Sequence, residues 1–297
     1  MNRANLIKTL AAWGKAFNHV DFLNDDLLST IFFHNQWFTA ENVKMAVNSI
    51  ATEMLEEEKL KQWLLNYPEK KTASKKVGLV MAGNLPLAGF HDLLCVLCAG
   101  DVAFVKLSSK DKILLPAMAK LLFDLDESFE QKIVFTDMLK GAEAFIATGS
   151  NNSARYFEYY FGKYPHIIRK NRGSVAVLKG NETVSDFKNL GDDIFSYFGL
   201  GCRNVSKLLV PAGYDFKYFF EGIDSFSWVM DHSKYKNNYD YNRTLLLLNN
   251  SQHLTNDFVM IEESKSIVSP VAMLYYEFYK DENELNEMLN RDELLTQ

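Results

Sequence analysis

Between residues 77 and 161, short β-branched or apolar runs alternate with segments of helical periodicity, and this alternation constrains the fold more than any other feature. Val77 to Met81 precedes a helical pattern near Leu87 to Ala99. Val102 to Lys106 precedes another from Asp111 to Phe123, and Ile133 to Phe135 and Ala144 to Thr148 lead to Asn152 to Phe161. Strand, helix, strand at this spacing predicts parallel βαβ units with right-handed crossovers. Parallel sheets place ligands beyond the carboxyl ends of their strands, so the residues just after each strand are the ones to inspect. Three stand out: Asn84 within AGNLP, Lys106 closing its strand, and Gly149-Ser150 opening a helix. An amide, a cation and a bare helix N-terminus facing one edge suit an anionic ligand such as a dinucleotide phosphate. Each alone also has a plain structural use: Asn84 as a helix cap, Lys106 as a surface lysine, Gly149 as a turn glycine.

The flanking regions differ in character. Residues 1 to about 66 read as helical, with apolar positions three and four apart in AVNSIATEML and LKQWLLNY. The basic run Lys70, Lys71, Lys75, Lys76 then reads as a solvated linker. Beyond residue 170 a second unit is expected: Ser174 to Leu178 as strand, Val184 to Phe198 as helix, the loop GLGCRN, the strand Val205 to Val210 and a helix from Asp215. A chain of 297 residues accommodates two domains of ordinary size.

With 47% apolar and 24% charged residues, disordered, collagenous and disulfide-framework classes are excluded. The 32 basic and 38 acidic residues give a net charge of -6, which provides no field for nucleic acid or an anionic bilayer. The N-terminal stretch lacks the h-region of a secretory signal. The longest apolar stretch, Leu79 to Gly100, is interrupted by His91 and Asp92, so no membrane span and a soluble cytoplasmic protein are expected.

The cysteines are Cys95, Cys98 and Cys202, an odd number that points to reduced thiols. Cys95 and Cys98 lie one helical turn apart in LLCVLCAG and read as core. With His91 they have helical metal-ligand spacing but offer only three ligands, which favours buried packing. Cys202 sits in a glycine-flanked turn. A nucleophilic thiol must be partly exposed and ionised. Gly199 and Gly201 admit a substrate, Arg203 and Lys207 are expected to add positive potential, and the Cys202 N–H can donate to an oxyanion. A reduced cysteine in a flexible turn fits these features equally well.

In order, VGLVMAGNLPLAGFHDLLCVLCAGDVAFVKLSSKD, IATGSNNSA and FGLGCRNVSKLLVP resemble the aldehyde dehydrogenase superfamily, most of all its acyl-CoA reductase branch, the luminescence-type fatty acyl-CoA reductases. The likeness runs from about Val77 to Tyr279. It implies a doubly wound parallel-sheet cofactor domain beside a second α/β catalytic domain, here residues 1–172, with the helical N-terminal segment, and 173–297. It implies Cys202 as nucleophile and Asn84 as oxyanion donor. Lys106 would hold the adenosine ribose, with Ser108 and Ser109 beside it, and Gly149 and Ser150 would lie by the pyrophosphate. Members commonly associate, so a homo-oligomer is expected.

Departures sharpen the expectation. Hydrolytic members carry a water-activating glutamate that the stretch HIIRKNRGSVAVL lacks, which disfavours hydrolysis and favours coenzyme A as the leaving thiol of an acyl-CoA substrate. Ser109 stands where NAD-preferring relatives carry a glutamate, which tolerates a 2′-phosphate and favours NADPH. Ser269-Pro270-Val271 resembles a family Gly-Pro-Val, with Ser266 in place of the glutamate that grips the nicotinamide ribose. Members continue past a helix such as Glu282 to Leu289, so a truncated chain, or a catalytic domain that folds without activity, is a further expectation. The rival readings are an aldehyde-oxidising or acyl-phosphate-reducing relative and a catalytically silent cofactor-binding or subunit-contact module.

Overall fold

The computed structural model describes residues 2–17, 21–69, 73–170 and 172–290. The expected linker lysines Lys70 and Lys71 lie outside them. The chain divides into two compact units, residues 1–171 and 172–297.

The first unit opens with helices α1 (Arg3–Phe17), α2 (Asp25–His34), α3 (Ala40–Ser49), continued by a wider π turn over Ile50–Met54, and α4 (Glu57–Leu65). Helix α1 buries Leu6, Ile7, Leu10, Trp13 and Phe17, a stripe at three- and four-residue spacing. The sheet strands and crossovers follow: β1 (Lys76–Val80), α5 (Phe90–Cys98), β2 (Val102–Lys106), α6 (Leu114–Leu125), β3 (Ile133–Phe135), β4 (Ala144–Thr148), α7 (Asn151–Phe161) and β5 (His166–Arg169). The Trp13 indole N–H donates to the Met118 carbonyl at 2.7 Å, satisfying the polar atom of a fully buried ring and fixing α1 on α6.

The five strands run in the order β3-β2-β1-β4-β5, all parallel. The chain winds outward from β1 through β2 to β3, then crosses to the other side of β1 for β4 and β5. With right-handed crossovers, α5 and α6 cover one face and α7 the other. The order reverses between β1 and β4, the kind of switch point at which doubly wound sheets bind ligands.

The second unit contains β6 (Ser174–Val177), α8 (Val184–Phe195), β7 (Val205–Pro211), α9 (Phe216–Gly222), α10 (Ser233–Leu248), β8 (His253–Thr255), β9 (Met260–Glu263), β10 (Met273–Tyr279) and α11 (Glu282–Leu289). Its strand order is β6-β7-β10-β9-β8, with β8 antiparallel and the rest parallel.

Two expected helices are corrected. The segment expected from Asp111 to Phe123 becomes helical only at Leu114, because the Asp111 carboxylate is committed to the Leu87 N–H and the Asp111 N–H to the Ser108 carbonyl. The helix expected from Val184 to Phe198 ends at Phe195, because Tyr197 and Phe198 take left-handed backbone with φ of 52° and 60°.

Candidate functional site

In the first unit, register sets which strand ends lie together. Val80 of β1 pairs with Lys106 of β2 and with Ala147 of β4, one residue before Thr148, which pairs with Arg169 of β5. Lys106, the loop after β1 and Gly149-Ser150 therefore share one edge, as expected, with the last two flanking the topological switch.

Two loops on this edge interlock. A Cβ on Gly83 would collide with the Ser108 side chain, so only glycine lets the AGNLP loop lie against the loop after β2. Leu87 has a φ of 59°, a strained value for a branched side chain. Its N–H donates to Asp111 at 2.9 Å, and burial pushes that carboxyl up to about 6 despite the hydrogen bond. Helix α2 braces the same turn: Asn35 donates to the Lys110 carbonyl at 3.2 Å, and His34 Nε2 lies 2.8 Å from the Ser109 carbonyl. Asn84, exposed, is thus carried on a braced loop, beside exposed Lys106 and Ser109 and half-buried Ser108. Sequence reading missed Asp111, assigning it to a helix. Its signal is an aspartate three residues before the first buried helical leucine.

At the switch, Ser150 caps α7, its hydroxyl accepting from the Ser153 N–H at 3.2 Å, and the first turn of α7 carries no acidic residue. A Cβ on Gly149 would meet Ser153 and Phe157 at 3.0 Å, so the chain enters the helix tightly. Asp111 is the carboxylate nearest in sequence to the Lys106 turn, and it is buried. An exposed cation, an acid-free helix N-terminus and small residues at a switch point fit the phosphates and ribose of a dinucleotide.

The other residues of interest in this unit are otherwise engaged. Asp92 accepts from Arg169 Nη1 at 2.5 and 2.6 Å and ties α5 to the end of β5. His91 lies 3.8 Å from Cys95 Sγ and tilts against Trp63, but no group of three His, Cys, Asp or Glu side chains suited to a metal forms among the described residues. Burial pushes the Cys95 thiol up, aided by Asp92, and the Cys98 thiol up to about 12.

In the second unit, Cys202 is exposed. It lies on the turn entering β7, at the amino end of that strand. The turn is held by Asn204, which sequence reading passed over. Its Oδ1 accepts the Gly201 N–H at 2.8 Å, and its Nδ2 donates to the carbonyls of Asp193 at 2.8 Å and Ser196 at 3.0 Å. One side chain therefore satisfies two C-terminal carbonyls of α8 and fixes the glycine before the cysteine. Gly199 has a φ of 73°, completing with Tyr197 and Phe198 a left-handed run that only its glycine adopts without cost. The Cys202 carbonyl accepts from Ser174 Oγ at 3.4 Å. Arg203 is exposed beside the cysteine. Lys207 is corrected: it is fully buried and paired with Glu277 at 2.5 Å, so its charge is neutralised rather than offered to Cys202.

No family model matches the sequence, and no curated protein matches it. Solved structures do match. An E. coli NADP dependent enzyme superposes with a TM-score of 0.75 at 12% identity, covering 98% of this chain and 71% of that one. A putative aldehyde dehydrogenase from Burkholderia cenocepacia gives 0.69 at 11%, over 98% and 72%. An aldehyde dehydrogenase of Mycobacterium tuberculosis complexed with NAD+ gives 0.68 at 14%, over 98% and 71%. The fold is that of the aldehyde dehydrogenases. In that fold, the two five-stranded sheets of this chain correspond to the expected pairing of a doubly wound α/β unit with a second α/β unit. Among the described residues no helix is long and apolar enough to cross a membrane.

Proposed function

We propose that this chain reduces an acyl-CoA thioester to an aldehyde with NADPH, through an acyl-enzyme on Cys202. The observation that carries the reading is an exposed thiol on a turn whose backbone is fixed by Asn204, within an aldehyde dehydrogenase fold. The thiolate attacks the thioester carbonyl, and the oxyanion is held by the Cys202 N–H and, as the sequence resemblance implies, by the Asn84 amide. The carbon–sulfur bond to coenzyme A breaks, and the thiol leaves with a proton from solvent. When bound, reduced nicotinamide would supply the hydride that takes the acyl group to the aldehyde level. As the carbonyl re-forms, the bond to Cys202 breaks and the thiolate is restored. Lys106, Ser108 and Ser109 would hold the adenosine ribose and its 2′-phosphate, while Gly149 and Ser150 would lie by the pyrophosphate. The absence of a carboxylate from His166 to Leu178 leaves water unactivated and the acyl-enzyme long-lived.

A cofactor-binding module without turnover is the second reading, favoured by Ser266, which is exposed and replaces the glutamate expected at the nicotinamide ribose. NADPH oxidation on acyl-CoA addition separates the two. The account expects turnover that Cys202→Ala abolishes and Asn84→Ala slows roughly a hundredfold. Unchanged turnover in Cys202→Ala would refute the nucleophile, and cofactor binding with no turnover in the native protein would favour the module.

A further inference from the structure

Lys207 is 0% exposed, on a strand with a neighbour on either side. An apolar pair in place of a buried ion pair is often as stable or more so, so stability does not account for its presence. Its contacts do. The ammonium donates to Glu277 at 2.5 Å and to the Ser264 carbonyl at 2.8 Å, and Ser264 begins the turn between β9 and β10. The preceding residue of β7 grips the same turn: Ser206 Oγ donates to the Ile267 carbonyl at 2.8 Å and lies 3.4 Å from the Ser174 carbonyl. Ser174 Oγ in turn donates to the Cys202 carbonyl at 3.4 Å. The turn also presses on the chain entering β6, where a Cβ on Gly173 would meet Ile267 Cγ2 at 2.6 Å. Consecutive residues of β7 thus pin the Ser264–Ser269 turn, and Ser206 lies against Ser174, whose own hydroxyl donates to the Cys202 carbonyl.

We infer that Lys207 is a positioning residue, whose ammonium, balanced by Glu277, holds the Ser264–Ser269 turn at a fixed offset from the Cys202 loop. Resting on the function proposed above and on the resemblance that aligns Ser266 with the glutamate gripping the nicotinamide ribose, Lys207 governs the use of NADPH and not thioester attack.

Lys207→Met alone strands Glu277 and is expected to destabilise the fold, so the decisive variant is Lys207→Met/Glu277→Met, which restores an apolar interior and removes the donor to Ser264. In it, amides of residues 264–269 are expected to exchange with deuterium at least tenfold faster while those of β7 and β10 are unchanged, the loss of one charge-assisted hydrogen bond. The KM for NADPH should rise tenfold or more, with single-turnover acylation of Cys202 by acyl-CoA altered less than twofold. Unchanged exchange in the turn, or equal losses in acylation and NADPH use, would overturn the inference. If the native protein takes no acyl group, the proposed function fails, while the exchange measurement still decides whether Lys207 grips the turn.

Discussion

The loop after β1 and the loop before β7 solve the same backbone problem with different chemistry. Each holds non-glycine residues in left-handed backbone, Leu87 in one and Tyr197 with Phe198 in the other. Each is fixed by one side chain reaching back to a main-chain N–H. In the first unit that side chain is the buried carboxyl of Asp111, and in the second it is the neutral amide of Asn204. A carboxyl only accepts when ionised, and its burial makes the brace depend on pH. An amide donates and accepts at any pH, so the turn bearing the exposed thiol keeps its shape where the Asn84 loop changes protonation.

The largest expected effect that could break this comparison lies in thiol reactivity. At pH 8 a thiol pushed up to about 12 is ionised in roughly one molecule in ten thousand, so Cys98 should react with iodoacetamide at least a hundredfold slower than exposed Cys202, read by peptide mass mapping. Comparable rates would mean the two environments are not distinct. Next, Asn204→Ala removes three hydrogen bonds and should cost about 2–4 kcal/mol in urea denaturation, with no dependence on pH from 4 to 7.

Asp111→Asn sharpens the contrast. Because the folded carboxyl titrates near 6 against an ordinary 3.8, the folded state holds its proton more tightly. The associated stability is full below about pH 4 and is lost as pH rises through 6, a change of order 2–3 kcal/mol. The asparagine variant should lack that slope, and parallel curves for the two proteins would contradict the assignment. Smallest is Ser150→Ala, which removes the cap of α7 and should cost about 1 kcal/mol in the same assay.

Most strands of the first unit were legible because they are short apolar runs bounded by turn residues, as in Val102–Lys106 and Ala144–Thr148. Strand β5 was not, since His166 and Arg169 flank only two apolar residues and its outer edge pairs with nothing among the described strands. The residues after β1, β2 and β4 were legible as a site because topology alone gathers them. The braces were not. Asp111 and Asn204 also reach partners 24 and 11 residues away in sequence, and a local pattern does not name those partners. Lys207, inside the expected strand Val205 to Val210, read as a charge available to Cys202 because Glu277, its partner, lies 70 residues further on.

Weighing the intact protein after incubation with acyl-CoA, without cofactor, probes the account most directly. One acyl group should add to the native chain and none to Cys202→Ala. An unmodified native mass across acyl chain lengths, or an adduct that survives in Cys202→Ala, would contradict it.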